Sequence, residues 1–289
     1  MINKIFFFIF LRLLFLQKNK LYGKIFFQKY FFELHFFSLK GMNFYNSNRN
    51  TNGELNVIYQ VKNTFKNNKD PLILFDVGAN IGEYSKQLIE IFRETRMTIY
   101  AFEPAKKTYQ KLHDNLKNYN NICLLNIGLS HKEQQGILYS EPTGQSPLAS
   151  LYQRELKHIN LEMNVSEEIK LNTIDNFCES HEINEIHFLK LDVEGHEFKV
   201  LEGAKNMLNK GKIKMIQFEF GACNIDSRTY FKDFFKLFCT NYNIYRIVKD
   251  GLFHIEEYHE EEVEIFTYSN YFCILKELLS NQIPNSFSD

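Results

Sequence analysis

Short apolar runs recur along this chain, and each stops at an acid or a glycine. Leu72 to Phe75 is wholly apolar, and Met97–Phe102, Ile122–Ile127, Ile186–Leu191 and Ile213–Phe220 are further, mainly apolar runs with a few polar residues among them. Runs of this length predict parallel strands covered on both faces. Between them the period lengthens. Tyr84, Leu88 and Ile91 form one helical stripe over about 83–94, and Tyr109, Leu112, Leu116 and Tyr119 form another. Phe198, Leu201, Ala204 and Leu208 form a third after the fourth run. Glu54–Phe65 reads as a helix leading into the first strand, and Pro104 suits a first helical position. Thr173–His181 is a short helix with Thr173 as cap. An aromatic helix around Thr229–Phe238, a strand over Tyr242–Val248, an Asp250-Gly251 turn and a strand over Tyr271–Leu275 complete the set. This alternation predicts an α/β fold, a Rossmann-like doubly wound sheet, mostly parallel with an antiparallel C-terminal edge. Residues 136–170 read as a looser region.

The N-terminal pattern is different. Ile5 to Leu16 is apolar except for Arg12, and its 12 residues fall short of the roughly 20 that span a bilayer. Phe pairs interleaved with Lys18, Lys20, Lys24 and Lys29 continue through Phe37. Residues 43–53 are polar and turn-rich, which marks a boundary. The chain therefore divides into a Phe-rich, basic, helical extension over 1–42 and a main domain over 43–289.

Charge sharpens that division. The whole chain carries −1, yet residues 1–40 hold seven Lys and Arg against Glu33 alone. A basic aromatic helix of this kind suits peripheral contact with an anionic membrane surface. Packing on the main domain, or on a second copy in a homo-oligomer, is the competing reading. Nothing in the overall charge points to nucleic acid. Five cysteines without a C-x-x-C pair read as reduced, buried thiols of a cytoplasmic protein, in which the extension would lie at the inner face of the membrane.

The chemistry begins where the first strand breaks, at Asp76-Val-Gly-Ala-Asn-Ile-Gly82. Gly78 and Gly82 permit a tight turn with no side chain in a ligand's way. Such turns at the carboxyl ends of parallel strands bind nucleotide-like ligands. Glu103, about 20 residues on, ends the second strand where a carboxylate can take both ribose hydroxyls. Asn126 to Ser130 can line a base. A dinucleotide fingerprint places glycines where this chain has Asn80 and Glu83, and an acid there repels a pyrophosphate. A sulfonium cofactor tolerates Asp76 and Glu83, so the turn favours S-adenosylmethionine over NAD.

Asp-Val-Gly-Ala-Asn-Ile-Gly, Phe-Glu-Pro at 102–104 and Leu-Lys-Leu-Asp-Val-Glu-Gly-His-Glu at 189–197 together resemble the FkbM family of S-adenosylmethionine-dependent methyltransferases. Leu201-Glu-Gly-Ala204, Ala149-Ser-Leu151, Asn172-Thr-Ile-Asp175 and the strand leading to Glu219 are similar as well. The resemblance covers roughly residues 41–276 and leaves the extension unexplained. It implies a class I methyltransferase fold and methyl transfer to an oxygen, typically on a sugar or natural product. It also implies that Asp76, Gly78, Asn80, Gly82 and Glu103 fall on cofactor-binding positions. Asp192 falls where the methionine part and the transferring methyl lie.

An alcohol acceptor must lose a proton, which calls for a base within hydrogen-bond reach. Asp192, Glu194 and Glu219 are the candidates, with Asp192 or Glu194 preferred. Glu194 and Glu197 read equally well as helix N-terminal acids, and His196 as a capping or exposed residue. Asp192, Glu194 and Glu219 as magnesium ligands is a minority alternative. His254 and His259 sit in what reads as a solvated acidic loop. The expected function is O-methylation of a sugar hydroxyl or another small-molecule or glycan acceptor. The alternatives are an NAD-type oxidoreductase and a catalytically silent cofactor-binding partner protein.

Overall fold

Leu72–Val77 (β1) lies at the middle of a large sheet, and five of its six residues are buried. The computed structural model describes residues 18–142 and 148–280. The apolar stretch Ile5–Leu16 and most of the Glu141–Pro147 segment lie outside the described residues. The chain separates into two units, one ending at Tyr45 and the other beginning at Asn46. The first contains a helix, α1 (Gln28–Gly41), preceded by a short 3-10 turn over Ile25–Phe27.

In the second unit α2 (Glu54–Thr64) precedes β1, then α3 (Glu83–Ile91), β2 (Met97–Phe102), α4 (Lys106–Leu116) and β3 (Ile122–Leu125) follow. Next come β4 (Gly128–Leu129), β5 (Gln134–Ser140), β6 (Val165–Asn172), α5 (Ile174–Ser180) and β7 (Ile186–Leu191). After α6 (Glu197–Glu202) and α7 (Lys205–Asn209) the chain runs through β8 (Ile213–Phe220), α8 (Phe231–Phe238), β9 (Tyr242–Val248), β10 (Gly251–Ile255) and β11 (Ser269–Leu275).

The large sheet has the order β10-β9-β11-β8-β7-β1-β2-β3. β1, β2, β3, β7 and β8 pair in parallel, while β11 and β10 run antiparallel to their neighbours. Every residue of β7 and of β11 is buried, because both sheet faces are covered. One face packs Phe75, Val77, Leu189, Leu191 and Phe218 against the helices α5 to α8. The other packs Leu72, Leu74, Phe188 and Phe272 against α2, α3 and α4. The order reverses between β1 and β7, the place where open α/β sheets form a ligand crevice.

Four expectations change. The strand expected over Ile122–Ile127 stops at Leu125, because Asn126 donates to the carbonyls of Glu103 and Pro104 and bends the chain away. Residues 136–170 are not loose throughout. β5 and β6 pair antiparallel over seven residue pairs and, with β4, make a separate three-stranded sheet. Pro104 lies before the helix rather than in it, since Ala105 is the N-cap of α4. The helix expected across Phe198–Leu208 divides at Gly203-Ala204 into α6 and α7. Thr173 caps α5 with its side chain, accepting from the Asn176 amide at 2.9 Å.

Candidate active site

The turn after β1 is pinned to the strands on both sides. The amides of Gly78 and Ala79 donate to the Phe102 carbonyl at 3.0 and 2.9 Å, and the Asp192 amide donates to Val77. Gly78 sits at φ +80°, and a Cβ there would come within 1.8 Å of the Asp192 carbonyl oxygen. Only glycine lets the two loops meet. Gly82 has a different task from the one the sequence suggested. It begins α3 at φ +90°, and a Cβ there would strike Leu116 and Leu112 at 2.5 and 2.7 Å. It makes room for α4, not for a ligand.

Glu103 ends β2 and is 7% exposed. One carboxylate oxygen accepts the Asn80 amide at 3.0 Å and the other accepts the Ala105 amide at 2.9 Å. Asn80 reaches this position in the left-handed region at φ +52°, where asparagine is tolerated. Burial raises the Glu103 carboxyl to about 7, the two amides opposing the rise. Glu103 lines a cavity of about 1140 Å³, open solvent included, together with Gly78, Asn80, Asp192, Glu194 and Glu219. Arg49, Ser47 and Tyr268 contribute to the same wall.

The three acids expected to carry chemistry meet in this cavity, in three different electrical settings. Burial pushes the Asp192 carboxyl up, but the Lys190 ammonium at 2.9 Å outweighs it and holds its pKa below the ordinary value. Glu219 hydrogen-bonds to Asp192, and burial and that neighbouring charge raise its own pKa well above the usual range. Of the two, Glu219 holds a proton the more readily. Burial and Asp192 raise the Glu194 carboxyl to about 8, with Arg154 opposing from 2.8 Å. Neighbouring carboxyls whose environments separate their pKa values are the pattern of divided acid and base duties.

The acids rest on a buried polar floor. Lys190 is 3% exposed, lies 3.7 Å from Asp76 and stands 4.8 Å over the Tyr84 ring. The Tyr84 hydroxyl donates to Gln217, whose amide donates to Glu54 at 2.8 Å. Asp76 is fully buried and accepts from the Ser85 hydroxyl at 2.7 Å, so it holds α3 and Lys190 behind the cavity wall.

A second group secures the loop over Leu148–Leu156 to the turn after β7. The Ser150 hydroxyl donates to the Glu194 carbonyl at 2.8 Å, and Tyr152 bonds His196 Nδ1 at 3.0 Å. His196 Nε2 meets the Ser130 hydroxyl at 2.9 Å. His196 is buried and holds the N-cap position of α6, as the capping reading has it, but its side chain makes no capping hydrogen bond. Burial drives its pKa down to about 4, which leaves the ring neutral at pH 7. Arg154 is 9% exposed and bonds both Glu194 and Asp226.

Glu194 and Glu197 part company. Glu197 opens α6 and accepts the Val193 and Gly195 amides at 2.9 and 3.3 Å, the helix-terminal role. Glu194 sits at φ +52° outside the helix and faces the cavity. Asn126 lines a separate shallow site beside Lys106 and Gln135, and its amide is committed to the turn after β2. Glu83 is exposed and pairs with Arg49 at 3.1 Å. Among the described residues no group of three His, Cys, Asp or Glu side chains is placed to hold a metal ion. The magnesium alternative for Asp192, Glu194 and Glu219 has no geometry behind it. Lys190, Arg154, Tyr152 and Arg49 escaped the sequence reading. The one available signal was a lysine inside the apolar run Ile186–Leu191.

A doubly wound sheet with an acid-walled crevice at its reversal point has the architecture in which open α/β proteins bind their ligands. The model of the methyltransferase FkbM domain matches residues 76–245, and the chain belongs to that family. The chain is similar to the hexuronic acid methyltransferase AglP of Haloferax volcanii, with 30% identity over 150 residues. That alignment takes in 52% of this chain and 56% of AglP, so the chain spans a little over half the length of this relative. Among solved structures, the methyltransferase FkbM from Methylobacillus flagellatus aligns with a TM-score of 0.44 at 18% identity. It covers 70% of this chain and 43% of its own. The human methyltransferase 10 domain containing protein aligns at 0.39 and 9%, covering 77% and 82%.

Proposed function

We propose that this protein transfers a methyl group from S-adenosylmethionine to a hydroxyl of a sugar or sugar-like acceptor. The observation that carries the reading is Glu103, a buried carboxylate fixed by two amides at the cavity wall, in a chain of a methyltransferase family. Each of its oxygens keeps a lone pair for one ribose hydroxyl. Gly78 and Asn80 line the cavity in which the nucleoside would lie, and Asp192 offers negative charge where a sulfonium or an ammonium would lie. Arg49, the cation among the cavity residues, suits the cofactor's carboxylate. The cofactor, when bound, supplies an activated methyl group.

The turn speaks against a dinucleotide. Phosphates need free amides, yet those of Gly78, Ala79, Asn80 and Gly82 are all spent within the protein. The protein's own part in catalysis is then to hold an acceptor hydroxyl in line and to take its proton. Glu194 suits that task. Its raised pKa lies near working pH, and Arg154 fixes the direction of its carboxylate. The name of AglP states a hexuronic acid acceptor, and similarity to it favours a sugar over a lipid or peptide. The activity of the catalytically silent alternative would be nil, which gives the test its second arm. Calorimetry with S-adenosylmethionine and NAD, followed by methyl transfer to a panel of uronic acids and neutral sugars, decides. Tighter binding of NAD, or cofactor binding without transfer to any sugar, overturns the proposal.

A further inference from the structure

The first unit exposes an aromatic stripe that the proposed chemistry does not use. Phe26, Tyr30, Leu34 and Phe37 follow one another at intervals of four, four and three, so they lie along one side of α1 and the turn before it. They are 72%, 58%, 38% and 72% exposed, and the Phe26 and Tyr30 rings stand 6.4 Å apart. Scattered exposed apolar residues are ordinary, but a continuous exposed run of large ones marks an interaction surface.

The charge around the stripe tells what it meets. Residues 18–45 hold five lysines and Glu33 as the lone acid. Lys24, Lys29 and Lys40 are all exposed. Gln28 and His35 lie on the side of α1 away from the stripe, but the exposed Phe32 stands there too, so exposed rings are not confined to one side of the helix. Aromatic rings flanked by lysine stems fit the boundary between lipid headgroups and acyl chains, where a helix lies flat with its apolar side sunk about 5–10 Å. No described helix is long and apolar enough to cross a membrane.

We propose that α1 and its leading turn dock this protein on an anionic lipid bilayer surface, with the Phe26–Phe37 stripe in the interface and the lysines on the headgroups. The inference is independent of the methyl-transfer reading. A soluble acidic protein would complement the lysines but not the row of exposed rings. A second copy of the chain would complement the rings but would face five lysines with five more.

The test is flotation of the full chain with vesicles of phosphatidylcholine alone or mixed with phosphatidylglycerol. The expected result is binding to the anionic vesicles, weakened by salt because the lysine contribution is screened. Lys24→Gln, Lys29→Gln and Lys40→Gln together should lower affinity by about 100-fold, at roughly fivefold per lysine. Phe26→Ser, Tyr30→Ser and Phe37→Ser together should abolish flotation, and these exposed substitutions leave the circular dichroism spectrum unchanged. Failure to bind anionic vesicles overturns the proposal, and so does equal binding to neutral ones. Binding that survives both triple substitutions assigns the contact to another segment and overturns it too. A dimer in sedimentation that the aromatic substitutions dissociate, with no vesicle binding, gives the stripe to a second copy instead.

Discussion

Lys190 Nζ lies 2.9 Å from Asp192 Oδ2, and the two residues stand two positions apart at the end of β7. Period two along a strand puts both on the same side of the sheet. Burial alone pulls the Lys190 ammonium toward its neutral form, but Asp192 and Asp76 outweigh it and its pKa stays above the ordinary value. Lys190→Met keeps the volume and removes the charge, leaving two carboxylates facing each other. Breaking a buried pair from one side costs about 3–5 kcal/mol. Urea denaturation should show a loss of that order, and Asp192→Asn added to Lys190→Met should recover part of it.

Glu103 predicts a pH dependence of cofactor binding. Its carboxyl, raised to about 7, accepts both ribose hydroxyls only when ionised. Affinity for S-adenosylmethionine, measured by calorimetry, should fall about tenfold per pH unit below that value. Glu103→Gln should weaken binding at pH 8 and make it insensitive to pH.

Stability should move the opposite way. Glu103 and Glu197 are both raised from 4.5 to about 7 by burial, so the native state holds their protons more tightly than the unfolded chain does. Their contribution is fully present below about 4.5 and is lost as pH rises through 7. The melting temperature without cofactor should decline between about pH 4.5 and 7 and level off above that. Glu197 Oε2 has no hydrogen-bond partner, so Glu197→Gln, which keeps the contact to the turn amides, should flatten the decline.

Glu194 predicts a profile for turnover. As the base, with its carboxyl raised to about 8, it should give a rate that climbs with pH up to that value. Glu194→Gln should lower kcat about 10²–10⁴-fold and leave cofactor affinity within a factor of two to three. Arg154→Met should shift the rising limb to higher pH, because the guanidinium opposes the upward shift of Glu194. A Glu194→Gln enzyme with unchanged kcat removes Glu194 from the mechanism.

The central strands were legible because burial on both faces leaves an unbroken apolar run, as in Leu72–Phe75. β5 and β6 were not, because they form a small sheet with one side in solvent. Glu167, Glu168 and Lys170 stand among the two buried positions of β6, Ile169 and Leu171, and dilute the apolar signal. The site shows the same division. Gly78, Asn80 and Glu103 could be named because a strand-to-helix turn and the next strand end are local features with fixed spacing. Arg154 could not, since its partner Glu194 is 40 residues away and nothing in a loop sequence states which acid it will reach. Asn126 and Gly82 were named for a cofactor, and the contacts the fold gives them are internal. Each stands in the right stretch, yet one is spent on backbone carbonyls and the other on helix packing.

By itself the sequence determined the order of the large sheet's central strands and the helices between them, the turn after the first strand and the set of acids at strand ends. Those follow from periodicity and from the few residue types that tight turns accept. The tertiary structure alone decided which acid keeps its proton. Asp192, Glu194 and Glu219 are chemically almost the same group. Their differences come from Lys190, from Arg154 and from the depth of burial that the folded sheet imposes on each.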